Sequence, residues 1–206
     1  MSSNQPDALF WHTRWSVRDV VALVVTAVVL GIVFFLWDWA TQLLAHLLGD
    51  VATGLFYGVW YWAGLLLAYA IRRPGAALLG ELGAALVEFG LGTPLGAPSR
   101  MLVLVLGFVQ GLALEVVFAW VRYNYWGLAV MLIAGALAGV ADFAVNLVAP
   151  PLQLDLRSGG IIIAMFWLIM LSGAVLGGLV CKILGDRLLA IPAARNFLGA
   201  QLSQGG

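Results

Sequence analysis

Residues 20–37 pass without a formal charge, an apolar run of eighteen residues, and runs of similar character recur along the whole chain. No other feature restricts the fold so strongly. A helix of about 20 apolar residues crosses the hydrocarbon core of a bilayer. Water is absent there, so backbone N–H and C=O groups must bond within the segment, and a run that is apolar on every side crosses as a helix. The chain therefore reads as an all-α integral membrane protein. With 63% hydrophobic and 10% charged residues and a mean hydropathy of +1.03, little sequence remains for a water-soluble domain. The formal net charge is zero, with no basic or acidic block, which argues against nucleic acid as a partner.

Six spans are expected, at about residues 17–36, 52–71, 75–91, 101–121, 126–148 and 160–184. The first runs on past Trp37, Asp38 and Trp39 toward His46 and Asp50, and Pro150 and Pro151 stop the fifth. Arg14, Arg18, Arg72, Arg73, Arg122, Lys182, Arg187 and Arg195 then share one side, with only Arg100 and Arg157 on the other, eight against two. Cations accumulate in cytoplasmic loops, so the expected fold is a six-transmembrane-helix bundle with both termini cytoplasmic. Its organisation would be an amphipathic cytoplasmic segment (1–19), a six-helix membrane domain (20–187) and a cytoplasmic tail (188–206). The first apolar run is longer than a usual signal-peptide core and no small-residue cleavage site follows it, so no cleaved leader is expected.

Within this apolar chain, residues 72–96 stand out. Two arginines and a proline open a short small-residue helix, and Glu81 and Glu88 lie seven residues apart in it, on nearly one face. A carboxylate in hydrocarbon is costly, so these acids should face a protein interior or a wet cavity. Counting rise from Pro74 puts Glu81 about 10 Å and Glu88 about 21 Å from the cytoplasmic end. By the same arithmetic, Tyr57 and Trp60 on the second span reach the outer half with Glu88. So do Asp142 and Asn146 on the fifth, and Trp37, Asp38 and Trp39 at the end of the first. Glu115 falls near the level of Glu81, where the two acids could share a network with Gln110. Trp39, Tyr61 and Trp62 read more simply as anchors at the membrane interface. Cys181 reads as a small packing residue. Gly135 and Gly139, then Gly173, Gly177, Cys181 and Gly185, form ridges of small residues at four-residue spacing, for packing within the chain or for docking another membrane protein.

A chamber of rings and carboxylates suits a flat cationic or amino-substituted ring. The chain has no phosphate-binding glycine loop, no His-Glu-x-x-His pair and no Gly-x-Ser-x-Gly elbow, and its only histidines are His12 and His46. Catalysis, ATP hydrolysis by this chain, a metal site and a resident cofactor are therefore not expected.

The segments Tyr57-Gly58-Val59-Trp60 and Arg72-Arg73-Pro74-Gly75-Ala76-Ala77-Leu78 carry a specific likeness. It continues through Glu81, Ala84-Ala85-Leu86-Val87-Glu88, Leu91-Gly92, Pro94, Gln110-Gly111 and Glu115. Together these resemble the YkoE family, the substrate-binding S components of energy-coupling factor (ECF) vitamin transporters of the thiamine or hydroxymethylpyrimidine type. The likeness is densest over residues 57–122 and fades in the fifth span, where Asp142 departs from it. It implies a six-helix subunit of the cell membrane that captures a vitamin near the outer face. A transmembrane coupling (T) subunit and two cytoplasmic ATPases would then drive delivery inward. It also implies that Tyr57, Trp60, Glu81, Glu88, Gln110 and Asn146 line the pocket; Asp142, Asp38 and Trp37 join the candidate site by depth counting, where Asp142 or Asp38 would balance a ligand's positive charge. Ala22, Thr26, Ala27 and Gly31 would meet the coupling subunit, and Glu115 would serve a structural or coupling role. Two other readings stay open: a proton-coupled secondary carrier using Glu81, Glu88, Glu115 and Asp142, and a helical scaffold without a small ligand.

Overall fold

The computed structural model describes residues 15–92, 97–148 and 159–194. Among them every regular element is a helix. Helix α1 (Val17–Leu48) starts at Ser16, whose hydroxyl accepts from the Asp19 N–H while the Asp19 carboxylate accepts from the Ser16 N–H. This reciprocal cap satisfies two donors that a helix start otherwise leaves open. The helix then runs unbroken for 32 residues. At 1.5 Å per residue that is about 48 Å, well beyond the hydrocarbon core, so the expected span and its trailing turns are one rod.

The second span is built in pieces. A short α2 (Asp50–Thr53) leads into a 3₁₀ helix (Gly54–Tyr61), and α3 (Trp62–Ile71) completes it. Beyond it come α4 (Ala76–Leu91), α5 (Ala97–Trp120) and α6 (Leu128–Val148). Last are α7 (Gly159–Ser172), a π-helical stretch (Gly173–Leu179) and α8 (Val180–Ala190), which carries regular structure past the expected domain limit at residue 187. The remaining parts of the two expected terminal segments, 1–14 and 195–206, lie outside the described residues.

Five of these helical stretches are long and apolar enough to cross a membrane. The exception is α4. It has 16 residues, about 24 Å of helix, and Gly75 and Gly92 bound it at φ of 86° and 98°. Its length comes from these left-handed stops, and its surroundings come from its neighbours. A Cβ on Gly31 of α1 would stand 2.6 Å from the Ala84 carbonyl, so α1 touches the α4 backbone directly. Gly107 and Gly111 of α5 make similar room for Ala85, Leu78 and Glu81. Ala27 and Gly31 are consequently buried against α4. That corrects the expectation that they offer an outward docking face. Ala22 and Thr26 are half-buried, and the exposed stripe of α1 is Val20, Val21, Val24, Val25, Val28, Val29 and Ile32.

The glycine ridges also turn inward. Gly135 and Gly173 meet backbone to backbone, and Gly139 faces the Ile169 carbonyl at 2.8 Å from where its Cβ would be. Cys181 is fully buried. Packing within the chain accounts for these residues. In the π-helical stretch the Leu176 carbonyl accepts from the Trp62 indole at 2.8 Å, so Trp62 joins two spans instead of anchoring at an interface. Tyr61, 0% exposed, departs from the anchor expectation as well, whereas Trp39 stays exposed on α1.

The Arg-rich end of the bundle is tied by polar contacts. Arg73 pairs with Asp19 at 2.7 Å, both side chains buried. The Glu115 carboxylate of α5 accepts from the N–H groups of Gly75 (2.6 Å), Ala77 (3.1 Å) and Leu78 (3.3 Å), capping α4 from a neighbouring helix. Tyr123 donates to the same carboxylate at 2.5 Å. Arg72, Arg122 and Tyr123 adopt positive φ of 55°, 53° and 57°, a conformation costing side-chain-bearing residues roughly 1–2 kcal/mol each. Trp126, stacked on Phe118 at 5.0 Å, holds the second of these turns. It also receives the Arg72 guanidinium at 5.5 Å. Burial lowers the Arg72 pKa from its ordinary value. Burial and then the neighbouring Glu115 raise that of Tyr123.

Candidate functional site

Helix α4 turns Glu81 and Glu88 inward on one face, 1% and 4% exposed. Two turns of helix separate them, as a seven-residue spacing requires. One Glu81 oxygen, Oε2, accepts from the backbone N–H of Gly64 on α3. The other, Oε1, is buried and meets no donor among the described residues. A buried acceptor left without a donor costs about 1–3 kcal/mol. Glu88 lies beside Asp38 of α1, an acid next to an acid.

The Asp142 carboxylate is served on both oxygens. Gln110 Nε2 of α5 donates to Oδ1 at 2.8 Å, and the Tyr61 hydroxyl donates to Oδ2 at 3.2 Å. Asn146 donates to the Asp142 carbonyl at 3.0 Å, one turn back on its own helix. Depth counting set Asp142 at the level of Glu88; its carboxylate bonds to Tyr61 and Gln110. The reason is reach: long tyrosine and glutamine side chains cross levels that rise by only 1.5 Å per residue.

Around these acids the rings interlock. Tyr57 and Trp60 meet edge to face at 5.3 Å. Trp37 packs its edge on Phe56 at 6.2 Å and donates its indole N–H to the Phe56 carbonyl at 3.3 Å. Both Tyr57 and Trp60 are half-buried and flank the core cluster containing Tyr61. Of the residues singled out from sequence, Glu81, Gln110 and Asp142 thus lie in one polar cluster with Tyr61, while Glu88 and Asp38 form an adjoining pair. Glu115 does not join them. Its carboxylate is occupied by the α4 N terminus and Tyr123, which corrects the expected network with Glu81 and Gln110. A helix start carries free N–H groups and partial positive charge, and it outcompetes a second acid for a carboxylate. Sequence reasoning read Tyr61 as an interface anchor and did not single out Gly64. The signal for Tyr61 was available: it lies four residues after Tyr57, one turn along the same strip.

The partners of Glu81 and Asp142 are N–H and O–H donors, and Glu88 meets another acid. Such a cluster can accept hydrogen bonds from a solute. Among the described residues no three His, Cys, Asp or Glu side chains gather as metal ligands would.

Comparison with known proteins gives a consistent picture. Residues 18–141 match the family described as the permease component of an ABC-type cobalt transport system. The chain is 37% identical over 174 residues to YkoE of Bacillus subtilis (strain 168), named as an HMP/thiamine permease protein, and the match covers 84% of each chain. It is also similar to a crystal structure of an S component of an ECF transporter. The TM-score there is 0.81 at 35% identity, covering 89% of this chain and 90% of that one.

Proposed function

Because this chain belongs to the YkoE family of S components of ECF transporters, multi-pass proteins of the cell membrane, we propose that it captures thiamine or its hydroxymethylpyrimidine precursor. The observation that carries this reading is the buried, donor-less Oε1 of Glu81. An exocyclic ring amine supplies the missing N–H, and charge assistance strengthens the bond. Glu88 with Asp38 offers a second acidic subsite, and Trp60 and Tyr57 offer ring faces. The cobalt in the family description fits less well, since the groups around these acids donate hydrogen bonds, whereas a transition-metal ion is held by lone-pair donors such as imidazole, thiolate or carboxylate gathered together.

In this reading α4 crosses with the five longer helices. The bundle then has six spans, both termini are cytoplasmic, and residues 1–19 and 188–206 flank the membrane domain 20–187. The chain works with a transmembrane coupling subunit and two ATPases. Docking involves the exposed valines of α1 with Ala22 and Thr26, not the covered Ala27 and Gly31.

The test is titration of detergent-purified protein with thiamine and with the pyrimidine alone, followed by quenching of its nine tryptophans. Saturable binding of either compound that weakens in Glu81→Gln supports the reading, and absence of binding to both removes it. The buried acids Glu81, Glu88 and Asp142, with Glu115, favour one rival, a proton-coupled carrier. That rival requires uptake by this chain alone in liposomes under a pH gradient without ATP.

A further inference from the structure

The polar cluster contains a device for reading one ring substituent. A carboxylate only accepts hydrogen bonds, so the end of the Gln110 amide that meets Asp142 Oδ1 is its NH₂, which leaves the carbonyl as the other end. Asp142 can impose this because Tyr61 holds its second oxygen. Tyr61 itself has no freedom to leave. It is fully buried, and Gly173 and Gly177 lie so close to its ring that Cβ atoms there would come within 3.0 Å and 3.4 Å of ring carbons. Across from it, Gly107 and Gly111 bring α5 against Glu81, with Gln110 between them in sequence.

We infer that Asp142, fixed by Tyr61, is a positioning residue that orients the Gln110 amide so that the site offers acceptors, Glu81 Oε1 and Gln110 Oε1, and selects a ligand carrying an amino group over the same ring carrying an oxo group. This rests on the vitamin reading above and gives Asp142 an indirect part in it. An oxo substituent brings a lone pair where both protein groups already present lone pairs, and it is rejected.

The experiment compares thiamine with its analogue bearing oxo in place of the exocyclic amine, by isothermal titration and tryptophan quenching on purified protein. In Asp142→Asn the new amide accepts from Tyr61 and donates to Gln110. Gln110 turns over and shows its NH₂ to the ligand. The ratio of thiamine to oxo-analogue affinity is expected to fall by at least about tenfold, the equivalent of one hydrogen bond exchanged. Adding Tyr61→Phe to Asp142→Asn frees the introduced amide to turn either way, and part of the lost preference should return. Gln110→Met, which keeps volume without polarity, should also lower the ratio, and it serves where Asp142→Asn proves too unstable to purify. An unchanged ratio in Asp142→Asn or Gln110→Met overturns the inference while leaving the vitamin reading intact. So does an equal loss of both ligands, which would mean that Asp142 meets the solute's charge directly. Wild-type protein that binds neither compound overturns both.

Discussion

Asp19 and Glu88 are almost equally buried, 5% and 4% exposed, yet their surroundings have nothing in common. At the Arg-rich end Asp19 meets a cation and a helix start, and Glu115 takes three N–H groups and a phenol. Every lone pair that matters there is used. In the interior cluster Asp142 is held by two neutral donors, Glu88 by another acid, and Glu81 keeps one oxygen without a donor. Burial alone therefore says little about which acid serves a ligand. What a carboxylate is bonded to separates the acids that fasten helices from the one that keeps an open oxygen, since a saturated carboxylate gains nothing from a new donor.

That contrast can be broken by mutation. The largest effect is expected at the fastened end: Asp19→Ala removes the carboxylate from a buried guanidinium and opens the α1 cap, and should destabilise by about 3 kcal/mol. A drop in the thermal unfolding midpoint in detergent reads this out. A midpoint that holds would mean that Arg73 does not depend on Asp19. Next comes Glu81→Gln, expected to weaken thiamine binding by roughly 2 kcal/mol, about thirtyfold, while the fold stays as stable or becomes more so. Equal damage to stability and binding would erase the distinction drawn here.

Glu115→Gln sharpens the same point from the other side. It turns an NH₂ toward helix N–H donors and should cost about 1 kcal/mol of stability with ligand affinity unchanged. The smallest effect concerns Tyr123. Its phenol is held above the ordinary value of 10.0 by burial and by Glu115. A raised folded-state pKa contributes stability that is present below the unfolded value and is lost as pH rises beyond it. Stability should therefore begin to fall above about pH 10, and Tyr123→Phe should remove that component of the alkaline slope in thermal melts.

The sequence showed the elements better than their junctions. Apolar runs located the spans because lipid imposes one backbone solution on them, and helix ends fell within a few residues where proline or glycine stopped them. It carried the first span on past Trp37, Asp38 and Trp39 toward His46, and the structure makes that span and its continuation one helix to Leu48. The π-helical stretch was hidden. Its glycines read as a generic ridge, whereas their use is to let α6 and Tyr61 approach the backbone of the last span.

For the acids, the chain on its own settled that Glu81 and Glu88 had to be buried together on one face, because helical spacing and the cost of charge in hydrocarbon leave no other placement. Only the packed structure assigned partners. It sent Glu115 to a helix start, gave Asp142 to Tyr61 and Gln110, joined Glu88 to Asp38 and left Glu81 open. Those pairings join residues from 32 to 81 positions apart, and the direction of a long side chain across a helix interface is fixed by its neighbours' shapes, which no local pattern in the sequence contains.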